Sequence, residues 1–273
     1  MDAKILVLAT CYNRCEQTKE CLESLIKGNP SIEFDFIIVN DGSNDGTKLM
    51  LETFERMTAI EGNGNLFYSG GMRRAISKAK SEYLDAYDYV MFINDDVKFF
   101  VNSIEKLVKY ENKSNKIIVG AVCDSNGEFS YGGEKLLARH KPKFISVKID
   151  DSDLMCDTTC ANCVLIPRNI FESIPNIDDI YSHAMGDFDY FFEAIRKGYK
   201  IKSSNFYVGQ CNDNDIKNGW RDTSLTRRER LRKKESAKGL PFKEWFHYLK
   251  KNHGLLSAIY YSATAYIRIL LKR

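Results

Sequence analysis

Two adjacent carboxylates, Asp95 and Asp96, follow an apolar run at residues 89–93 (YVMFI). The run has the length and the β-branched and aromatic content of a buried strand, and it lacks helical spacing. In an open α/β sheet, ligands bind just outside the carboxyl ends of the strands. Adjacent carboxylates repel each other there unless a cation lies beside them, and Mg²⁺ or Mn²⁺ shared with substrate phosphates is the natural partner. A solvated turn that caps the next helix is the alternative.

A second carboxylate motif, Asp41-Gly42-Ser43, follows another strand-like run at residues 36–39 (FIIV). A carboxylate in this position would accept hydrogen bonds from a base or ribose, and the glycine would let the ligand approach closely. An ordinary Asp-Gly turn is the alternative for this motif alone.

A glycine-rich stretch at residues 62–76 (GNGNLFYSGGMRRAI) leads into a helix that we expect to begin at about Gly71. Backbone amides there, with Arg73 and Arg74 in the first helical turn, suit an anionic ligand. The glycines lack the spacing of a dinucleotide-binding fingerprint, and the stretch has no Gly-Lys-Ser/Thr of a P-loop. A simple packing loop is the alternative.

A third acidic group lies at residues 186–190 (GDFDY), after His183, where another helix is predicted to begin. Aspartate at a helix N-terminus is often a cap, and we expect this of at least one of Asp187 and Asp189. The other carboxylate would suit removal of a proton from an attacking hydroxyl, if the fold brings this helix to the sheet edge.

Strand and helix signals alternate over the first 120 residues, which predicts a parallel α/β sheet. The second half is less regular, and we expect no strand from residue 212 onward. The predicted strands cover residues 5–9, 36–39, 58–61, 89–93, 117–122 and 199–201, with an extended segment at 157–166. The predicted helices cover residues 47–57 and 187–197, one that ends near Gly28, and one from about Gly71 with Met72, Ala75, Ile76, Ala79 and Tyr83 on its core face.

The chain of 273 residues is 44% hydrophobic, enough for one large domain with a full core plus an extension. Its net charge of +3 does not select a polyanionic partner, although seven basic residues and two acids lie between Arg227 and Lys238. The run at residues 5–9 is too short for a signal-peptide core, so we expect a cytoplasmic protein with eight reduced cysteines. The cysteine spacing at residues 156–163, in extended chain, favours buried thiols over zinc ligands.

The last stretch, Gly254 to Leu271, is rich in Leu, Ile, Tyr and Ala, but Arg268 interrupts it. It is marginal for a membrane span, which needs about 20 mainly apolar residues. Its tyrosines and flanking basic residues suit a helix that lies in an anionic membrane surface, at the inner face of the cell membrane. A terminal helix packed on the domain, or on a second subunit in a homodimer, is the alternative. The flanking basic residues are Lys250, Lys251, Lys272 and Arg273.

Four motifs in order make the chain resemble family 2 glycosyltransferases of the GT-A fold, over roughly residues 4–207. They are residues 10–14 (TCYNR), 41–43 (DGS), 94–96 (NDD) and 186–189 (GDFD). Residues 64–71 (GNLFYSGG) and 183–190 (HAMGDFDY) are similar to bacterial rhamnosyltransferase-type members. The resemblance implies a Rossmann-like α/β fold, in which helices flank a mainly parallel central sheet, plus a helical carboxyl-terminal extension.

The resemblance also implies a division of the chain. A GT-A domain would cover residues 1–211, with its nucleotide-sugar half at about 1–122 and its acceptor half at about 123–211. A basic, amphipathic extension would cover residues 212–273.

The resemblance further implies roles for individual residues. Asp187 aligns with the catalytic base, and Asp96 aligns with the main ligand of Mn²⁺ or Mg²⁺. Asp95 would contact the sugar or ribose, or serve as a second metal ligand, while His183 and Asp189 would lie on the acceptor side. The residues expected to bind the nucleotide sugar are Thr10, Asn13, Arg14, Asp41, Asn65, Gly70, Gly71, Arg73 and Asp95.

The implied reaction is one inverting displacement from a nucleoside-diphosphate sugar, with rhamnose as the suggested sugar. The acceptor would be a glycan or a lipid-linked glycan in bacterial surface polysaccharide assembly. Two departures from the family pattern matter. Gln210 follows Val208-Gly209, where many members carry a further metal ligand, and Trp220 lies in residues 218–221 (NGWR) rather than in the Q-x-x-R-W element of processive synthases. We therefore expect transfer of single sugars.

Three other functions stay open at this point. A sugar nucleotidyltransferase would share the sheet and the metal, but it would carry a glycine-rich loop with Arg or Lys where residues 10–14 (TCYNR) stand. A catalytically silent relative would bind the nucleotide sugar without transfer. A nucleic-acid-binding protein would explain the basic run but not the ordered carboxylates, and the chain lacks a familiar binding motif, so we expect no nucleic-acid partner.

Overall fold

The computed structural model describes residues 3–82, 84–212 and 219–271. Tyr83 of the predicted helix face, Asn218 of the tryptophan motif, and the terminal Lys272 and Arg273 lie outside these ranges. The strands within them are β1 (Lys4–Cys11), β2 (Glu33–Asn40), β3 (Met57–Glu61), β4 (Tyr89–Ile93), β5 (Lys98–Phe99), β6 (Ile117–Cys123), β7 (Phe129–Tyr131), β8 (Gly133–Ala138), β9 (Lys141–Ser146), β10 (Met155–Cys156), β11 (Thr158–Thr159), β12 (Cys163–Pro167) and β13 (Ile201–Gln210). The helices are α1 (Cys15–Gly28), α2 (Thr47–Leu51), α3 (Phe67–Glu82), α4 (Ser103–Glu111), α5 (Arg168–Ser173), α6 (Gly186–Arg196), α7 (Arg227–Lys234), α8 (Phe242–His253) and α9 (Leu255–Leu270).

The central sheet has the strand order β10-β13-β6-β12-β4-β1-β2-β3. Strands β4, β1, β2 and β3 are parallel to one another, and β13 is parallel to β6. Strand β12 runs antiparallel between β4 and β6. A separate antiparallel sheet has the order β11-β8-β9. The predicted α/β class with a mainly parallel central sheet is confirmed.

Helices cover both faces of the central sheet. Successive side chains of β1 point to opposite faces, so they belong to two different cores. Leu6 and Leu8 belong to a core that includes residues of α3, α6 and α8. Ile5 and Val7 belong to a second core, with residues of α1, α2 and α4. Strands buried on both faces carry continuous apolar runs, as the sequence shows. The carboxyl ends of β1, β2 and β4 are thus held firmly along one edge.

Two predicted helix boundaries differ from the structure. Helix α2 ends at Leu51 rather than at residue 57, because the chain turns through Arg56, with a φ of 56°, and starts β3 at Met57. Helix α3 begins at Phe67, four residues before the predicted start at Gly71. The early start of α3 places Gly70 and Gly71 inside the helix.

The carboxyl-terminal extension is helical, as predicted, and packs against the rest of the chain. Tyr248 and Leu249 of α8 and Ala258 of α9 are fully buried in the core that covers one face of the sheet. The division at residue 212 stays a prediction, since α8 contributes to that shared core. No helix in the described ranges is long and apolar enough to cross a membrane.

One face of α9, continued by Leu271, carries large exposed apolar side chains that we call the apolar stripe. Leu256 is 83% exposed and Tyr260 is 63% exposed. The members are separated by three, four or seven residues, with adjacent pairs at 259–260 and 270–271, so they share one helix face. The stripe consists of Leu256, Ile259, Tyr260, Ile267, Leu270 and Leu271.

Candidate active site

The paired carboxylates lie where the sequence places them, directly beyond β4, and one arginine bridges them. A terminal guanidinium nitrogen of Arg14 donates to Asp95 Oδ1 at 3.0 Å and to Asp96 Oδ2 at 2.9 Å. The hydroxyl of Thr18 donates to Asp95 Oδ2 at 3.4 Å, and the thiol of Cys211 donates to Asp96 Oδ1 at 3.5 Å. Each of the four carboxylate oxygens therefore has a protein donor.

Asp95 and Asp96 differ in burial. Burial raises the pKa of Asp95 to about 6, although the charge of Arg14 opposes the shift. The side chain of Asp95 is only 10% exposed, whereas that of Asp96 is 31% exposed. Asp96 is the more accessible carboxylate, in keeping with its predicted role as main metal ligand.

The donor set fits a hard divalent cation that takes its other ligands from a diphosphate and water. Two carboxylates at a strand end are typical of such sites. The guanidinium of Arg14 shows that these two carboxylates stabilise a positive charge placed between them. In the described part of the chain, no group of three or more His, Cys, Asp or Glu residues would hold a metal by itself. Gln210 pairs with Lys98 at the end of β13, and Cys211 is the residue that reaches Asp96. Cys211 was not among the site residues predicted from the sequence, although its position just after a strand would have indicated it.

The loops after β1 and β2 are joined by Asn13. Its backbone amide donates to Ser43 Oγ at 2.9 Å, and its side-chain oxygen accepts from the amide of Asn44 at 2.8 Å. A φ of 50° turns the backbone at Asn13, a conformation that asparagine tolerates better than most residues. Beside it, Tyr12 is 47% exposed at the same edge. This exposed ring is a candidate stacking surface for a nucleobase, which the sequence analysis did not single out.

Asp41 has a different set of partners from the predicted base or ribose. Its Oδ1 accepts from the amide of Gly64 at 2.9 Å, and its Oδ2 accepts from the amides of Leu66 and Phe67 at 3.0 and 2.9 Å. The carboxylate thereby caps the first turn of α3 and fixes the glycine-rich loop. The structure favours this loop-shaping role over direct contact with the ligand.

Gly71 and Thr10 explain how closely α3 approaches β1. A Cβ atom on Gly71 would overlap the hydroxyl of Thr10, which itself donates to the carbonyl of Val39 at 3.1 Å. At Gly70, a Cβ would lie 3.3 Å from Leu66 Cβ. Asn65 lies exposed in the loop just before the helix and contacts Asn63. The glycines therefore serve packing first, and they leave the loop amides near the ends of β1 and β2.

Arg73 is not in the first turn of α3, contrary to expectation, and its guanidinium is already engaged. It donates to the carbonyl oxygens of Ile177, Asp178 and Tyr181, at 3.0, 2.7 and 2.8 Å. Burial lowers the pKa of Arg73. These contacts hold the segment that leads into α6, so the structure favours a positioning role over the predicted phosphate contact.

Asp187, at the start of α6, is linked to the carboxylate pair through a short chain of backbone contacts. Its Oδ1 accepts from the amide of Phe188 at 2.8 Å, and the backbone of Ala161 also bonds the carboxylate. Next to Ala161, the carbonyl of Asn162 accepts from the amide of Asn94 at 3.2 Å. Asn94 directly precedes Asp95. The predicted approach of α6 to the edge of the sheet is therefore present.

Burial raises the pKa of the Asp187 carboxyl to about 6, and backbone hydrogen bonds oppose the shift. The hydroxyl of Tyr68 is buried without a hydrogen-bond partner, and the charge of Asp187 adds to the burial that raises its pKa. Such an unsatisfied hydroxyl is costly unless a substrate group completes it. Tyr68 is a further site residue that the sequence analysis did not assign.

His183 is predominantly neutral at pH 7. Burial lowers its pKa to about 4, and the positive charges of Lys238 and Arg14 contribute to the shift. Its Nδ1 accepts from the backbone amide of Tyr68 at 3.4 Å, which leaves the other ring nitrogen as the donor. Lys238 lies in the loop between α7 and α8, so this loop contributes to the electrostatic environment of His183.

Asp189 points away from the site, which corrects its placement on the acceptor side. It is 2% exposed and accepts from Lys251 Nζ at 2.7 Å and Asn252 Nδ2 at 2.9 Å. Arg196 lies 3.7 Å from the same carboxylate. Asp189 thus fastens α6 to α8. Asp187 and Asp189 are two positions apart on the helix, so their side chains face different neighbours.

The mixed α/β fold, with paired carboxylates at the end of a central strand, can be compared with known protein families. The family model "Glycosyl transferase family 2" matches residues 6–174. The chain belongs to this family.

Curated relatives match part of the chain. The uncharacterized glycosyltransferase YfnE of Bacillus subtilis is 29% identical over 144 residues, 50% of this chain and 34% of that protein. The poly-beta-1,6-N-acetyl-D-glucosamine synthase of Staphylococcus epidermidis is 28% identical over 103 residues, 36% of this chain and 24% of that protein. The matches thus span about a third or less of these relatives.

Solved structures share the fold at low sequence identity. The mannosyltransferase PcManGT of Pyrobaculum calidifontis, in complex with GDP-Man and Mn²⁺, has a TM-score of 0.57 at 13% identity, covering 100% of this chain and 74% of that one. S. aureus TarS also gives 0.57 at 13% identity, covering 91% and 43%. The fold is therefore GT-A, as the sequence predicts.

Proposed function

We propose that this protein is an inverting, non-processive, metal-dependent glycosyltransferase that uses a nucleoside-diphosphate sugar. The observation that carries the proposal is the backbone chain from Asp187 through residues 161–162 to Asn94, which links a basic carboxylate to the segment that carries Asp95 and Asp96. A transferase of this class needs both groups at one edge of the sheet. The sequence motifs and family membership support the same activity.

Asp187 would act as the general base. A carboxyl with a pKa of about 6 is ionised at pH 7 and more basic than an ordinary aspartate. It would remove the proton of the acceptor hydroxyl as that oxygen attacks the anomeric carbon from the face opposite the diphosphate. The bond to the diphosphate breaks and the configuration inverts. Tyr68 and His183 would orient the acceptor, through the free hydroxyl and the donor ring nitrogen.

Positive charge would stabilise the leaving diphosphate, on the face of the anomeric carbon opposite Asp187. A divalent cation held by Asp96, with Asp95 beside it, would neutralise charge on the phosphate oxygens. Arg14 would add positive charge from this chain. The loops that Asn13 and Asp41 fix would hold the nucleoside, with Tyr12 beside the base and Asn65 and Thr10 at its edges.

Rhamnose is the proposed sugar, on the similarity of residues 64–71 and 183–190 to rhamnosyltransferase-type motifs. The acceptor proposed is a glycan or a lipid-linked glycan of bacterial surface polysaccharide. The S. epidermidis relative, whose name describes a polymer of N-acetyl-D-glucosamine, supports a polysaccharide product. The comparison leaves the donor open, since PcManGT was solved with GDP-Man.

Peripheral contact with an anionic membrane at its inner face is also part of the proposal. The apolar stripe on α9 would enter the interface, and basic residues beside it would face the lipid head groups. A homodimer through the same stripe is the competing arrangement. Cosedimentation with anionic vesicles at low and high salt tests the contact, because salt weakens electrostatic attraction to the surface.

The decisive experiment is a screen of nucleoside-diphosphate sugars for thermal stabilisation with and without Mn²⁺, followed by transfer assays with the donor that binds. Asp96→Ala should abolish metal-dependent binding of the nucleoside diphosphate while the protein stays folded. Asp150→Ala, which removes an exposed acid in the turn after β9, is the matched change and should preserve that dependence. Equal metal-dependent affinity in Asp96→Ala and the parent would refute the assignment.

A further inference from the structure

A second concave site lies far along the chain from the carboxylates, between residues 220–221 and α9. It is a groove of about 450 Å³, and its walls combine two aromatic rings, two arginines and apolar side chains. The volume falls within the range of ligand pockets, about 300–1,000 Å³. The lining residues, which we call the arginine groove, are Trp220, Arg221, Tyr260, Thr264, Ile267, Arg268 and Leu271.

The arginine groove opens beside the apolar stripe of α9 and shares residues with it. Tyr260, Ile267 and Leu271 belong to both, and Arg268 lies on the flank next to Leu271. Residues three and four apart are neighbours on a helix surface, which places Arg268 between Thr264 and Leu271. The groove therefore joins a continuous apolar surface to a positively charged recess.

The charge in the arginine groove comes from guanidinium groups that offer several donors each. The guanidinium of Arg221 lies 5.1 Å from the ring centre of Trp220, which holds it at the wall. Arg268 is exposed on the opposite wall. No acidic side chain is among the residues of known placement that line the groove. Two guanidinium groups with no acid between them suit a phosphate group, which arginine binds with paired hydrogen bonds.

We propose that the arginine groove binds the phosphate of an anionic phospholipid while the apolar stripe enters the acyl region beside it. An amphiphile with a phosphate head and a hydrocarbon tail matches both surfaces at once, and a water-soluble phosphate matches only the recess. A second copy of the chain fits poorly, because a two-fold interface would bring Arg221 and Arg268 towards the same arginines. The inference rests on the proposed membrane contact and is independent of the transfer reaction.

The two tryptophans of the chain provide a site-specific readout. Trp220 lines the groove, whereas Trp245 of α8 stacks on Tyr248 at a ring-centre distance of 5.5 Å. Trp245→Phe leaves Trp220 as the only tryptophan, and Trp220→Phe is the matched control with Trp245 alone. Vesicles of phosphatidylcholine with brominated phosphatidylglycerol should quench Trp220 strongly and Trp245 weakly.

Arg221→Gln or Arg268→Gln, in the Trp245→Phe protein, should weaken vesicle binding about fivefold each, the contribution of one basic side chain near an anionic surface. Lys109→Gln, an exposed lysine of α4, should leave it unchanged. If neither Arg221→Gln nor Arg268→Gln reduces the quenching of Trp220, the proposal is overturned. An equal response of Trp220 to inorganic phosphate alone also overturns it, as does a lipid-free dimer that Ile267→Asp dissociates.

Nucleoside-diphosphate binding measured on the same variants separates this proposal from the enzymatic one. Variants of the arginine groove should bind the nucleotide as the parent does, because its proposed ligands lie at the other site. Loss of lipid binding with intact nucleotide binding would concern the groove alone. Failure of nucleotide binding in the parent protein would refute the transferase and leave the groove untouched.

Discussion

Replacement of Arg14 by methionine tests whether its guanidinium occupies the electrostatic place of a metal ion. One guanidinium nitrogen bridges Asp95 and Asp96 at 3.0 and 2.9 Å. With about 4 Å between charge centres and an effective dielectric constant near 20, each contact has a Coulomb energy of about 4 kcal/mol. The side chain of Arg14 is 43% exposed, however, and desolvation of Asp95 opposes the attraction. We therefore expect Arg14→Met to cost about 1–2 kcal/mol of stability without ligand.

The same change should strengthen the binding of Mn²⁺ in the absence of nucleotide, because a competing cation is removed. A difference of about 1–2 kcal/mol corresponds to roughly a 5- to 30-fold lower dissociation constant. Arg14 lowers the pKa of Asp95, so the variant carboxyl will hold a proton to higher pH than the parent. Titration calorimetry at a pH of about 8.5 avoids this competition, since the Asp95 carboxyl is then largely ionised.

Arg56→Met is the matched control, since Arg56 also bridges two carboxylates, those of Glu33 and Asp35, at the start of β2. It should lower stability and leave Mn²⁺ affinity unchanged. Nucleoside-diphosphate affinity should fall in Arg14→Met, because the diphosphate loses a cationic partner. Unchanged or weaker binding of Mn²⁺ by Arg14→Met would refute the reasoning.

Three further predictions concern α6 and α3. Asp187→Asn should keep donor affinity and lose transfer by about 10²-fold or more. In the parent protein, kcat/KM should fall as the pH drops through about 6, because Asp187 becomes protonated there. A kcat/KM profile that stays flat to pH 4 would contradict the role of Asp187 as base. Asp189→Asn should lower the free energy of unfolding, measured in urea titrations, by about 2–4 kcal/mol, because it weakens a buried ion pair with Lys251. Donor binding should persist. A stability equal to the parent's would contradict the anchoring role. Gly71→Ala should destabilise by about 1–3 kcal/mol and weaken nucleotide binding through its overlap with Thr10, whereas Gly127→Ala, in an open turn, should not affect nucleotide binding.

The elements that carry the site were predictable because their signals are local. The run at residues 89–93 forms β4, and Asp95 and Asp96 follow it as the period and composition of the run indicate. The order of the motifs places Asp187 at the start of α6. Strands β1, β2 and β4 are parallel, so their carboxyl ends meet at one edge of the sheet.

The errors arose where a distant residue decides the local structure. Helix α3 begins at Phe67 because Asp41, 26 positions earlier, accepts from its first amides. Residues 62–76 do not include the capping residue, so their sequence could not indicate where the helix begins. Arg73 faces carbonyl groups about 100 residues further along the chain, and Asp189 faces Lys251. A charged residue beside a motif thus gains its partner from tertiary structure, which spacing cannot show.

Glu244, near the start of α8, accepts from the amide and the hydroxyl of Ser182, at 3.1 and 2.6 Å. At the far end of α8, Lys251 and Asn252 hold Asp189, two residues after Asp187. One helix therefore fixes both the segment before the proposed base and the helix that carries it, and α9 packs on that same helix. With α9 on a bilayer, Asp187 would stand at a set height above the lipid. Acceptors would then be selected by the distance between their lipid anchor and their reactive hydroxyl, so a glycan one sugar too short or too long would react slowly even if its terminal sugar were correct.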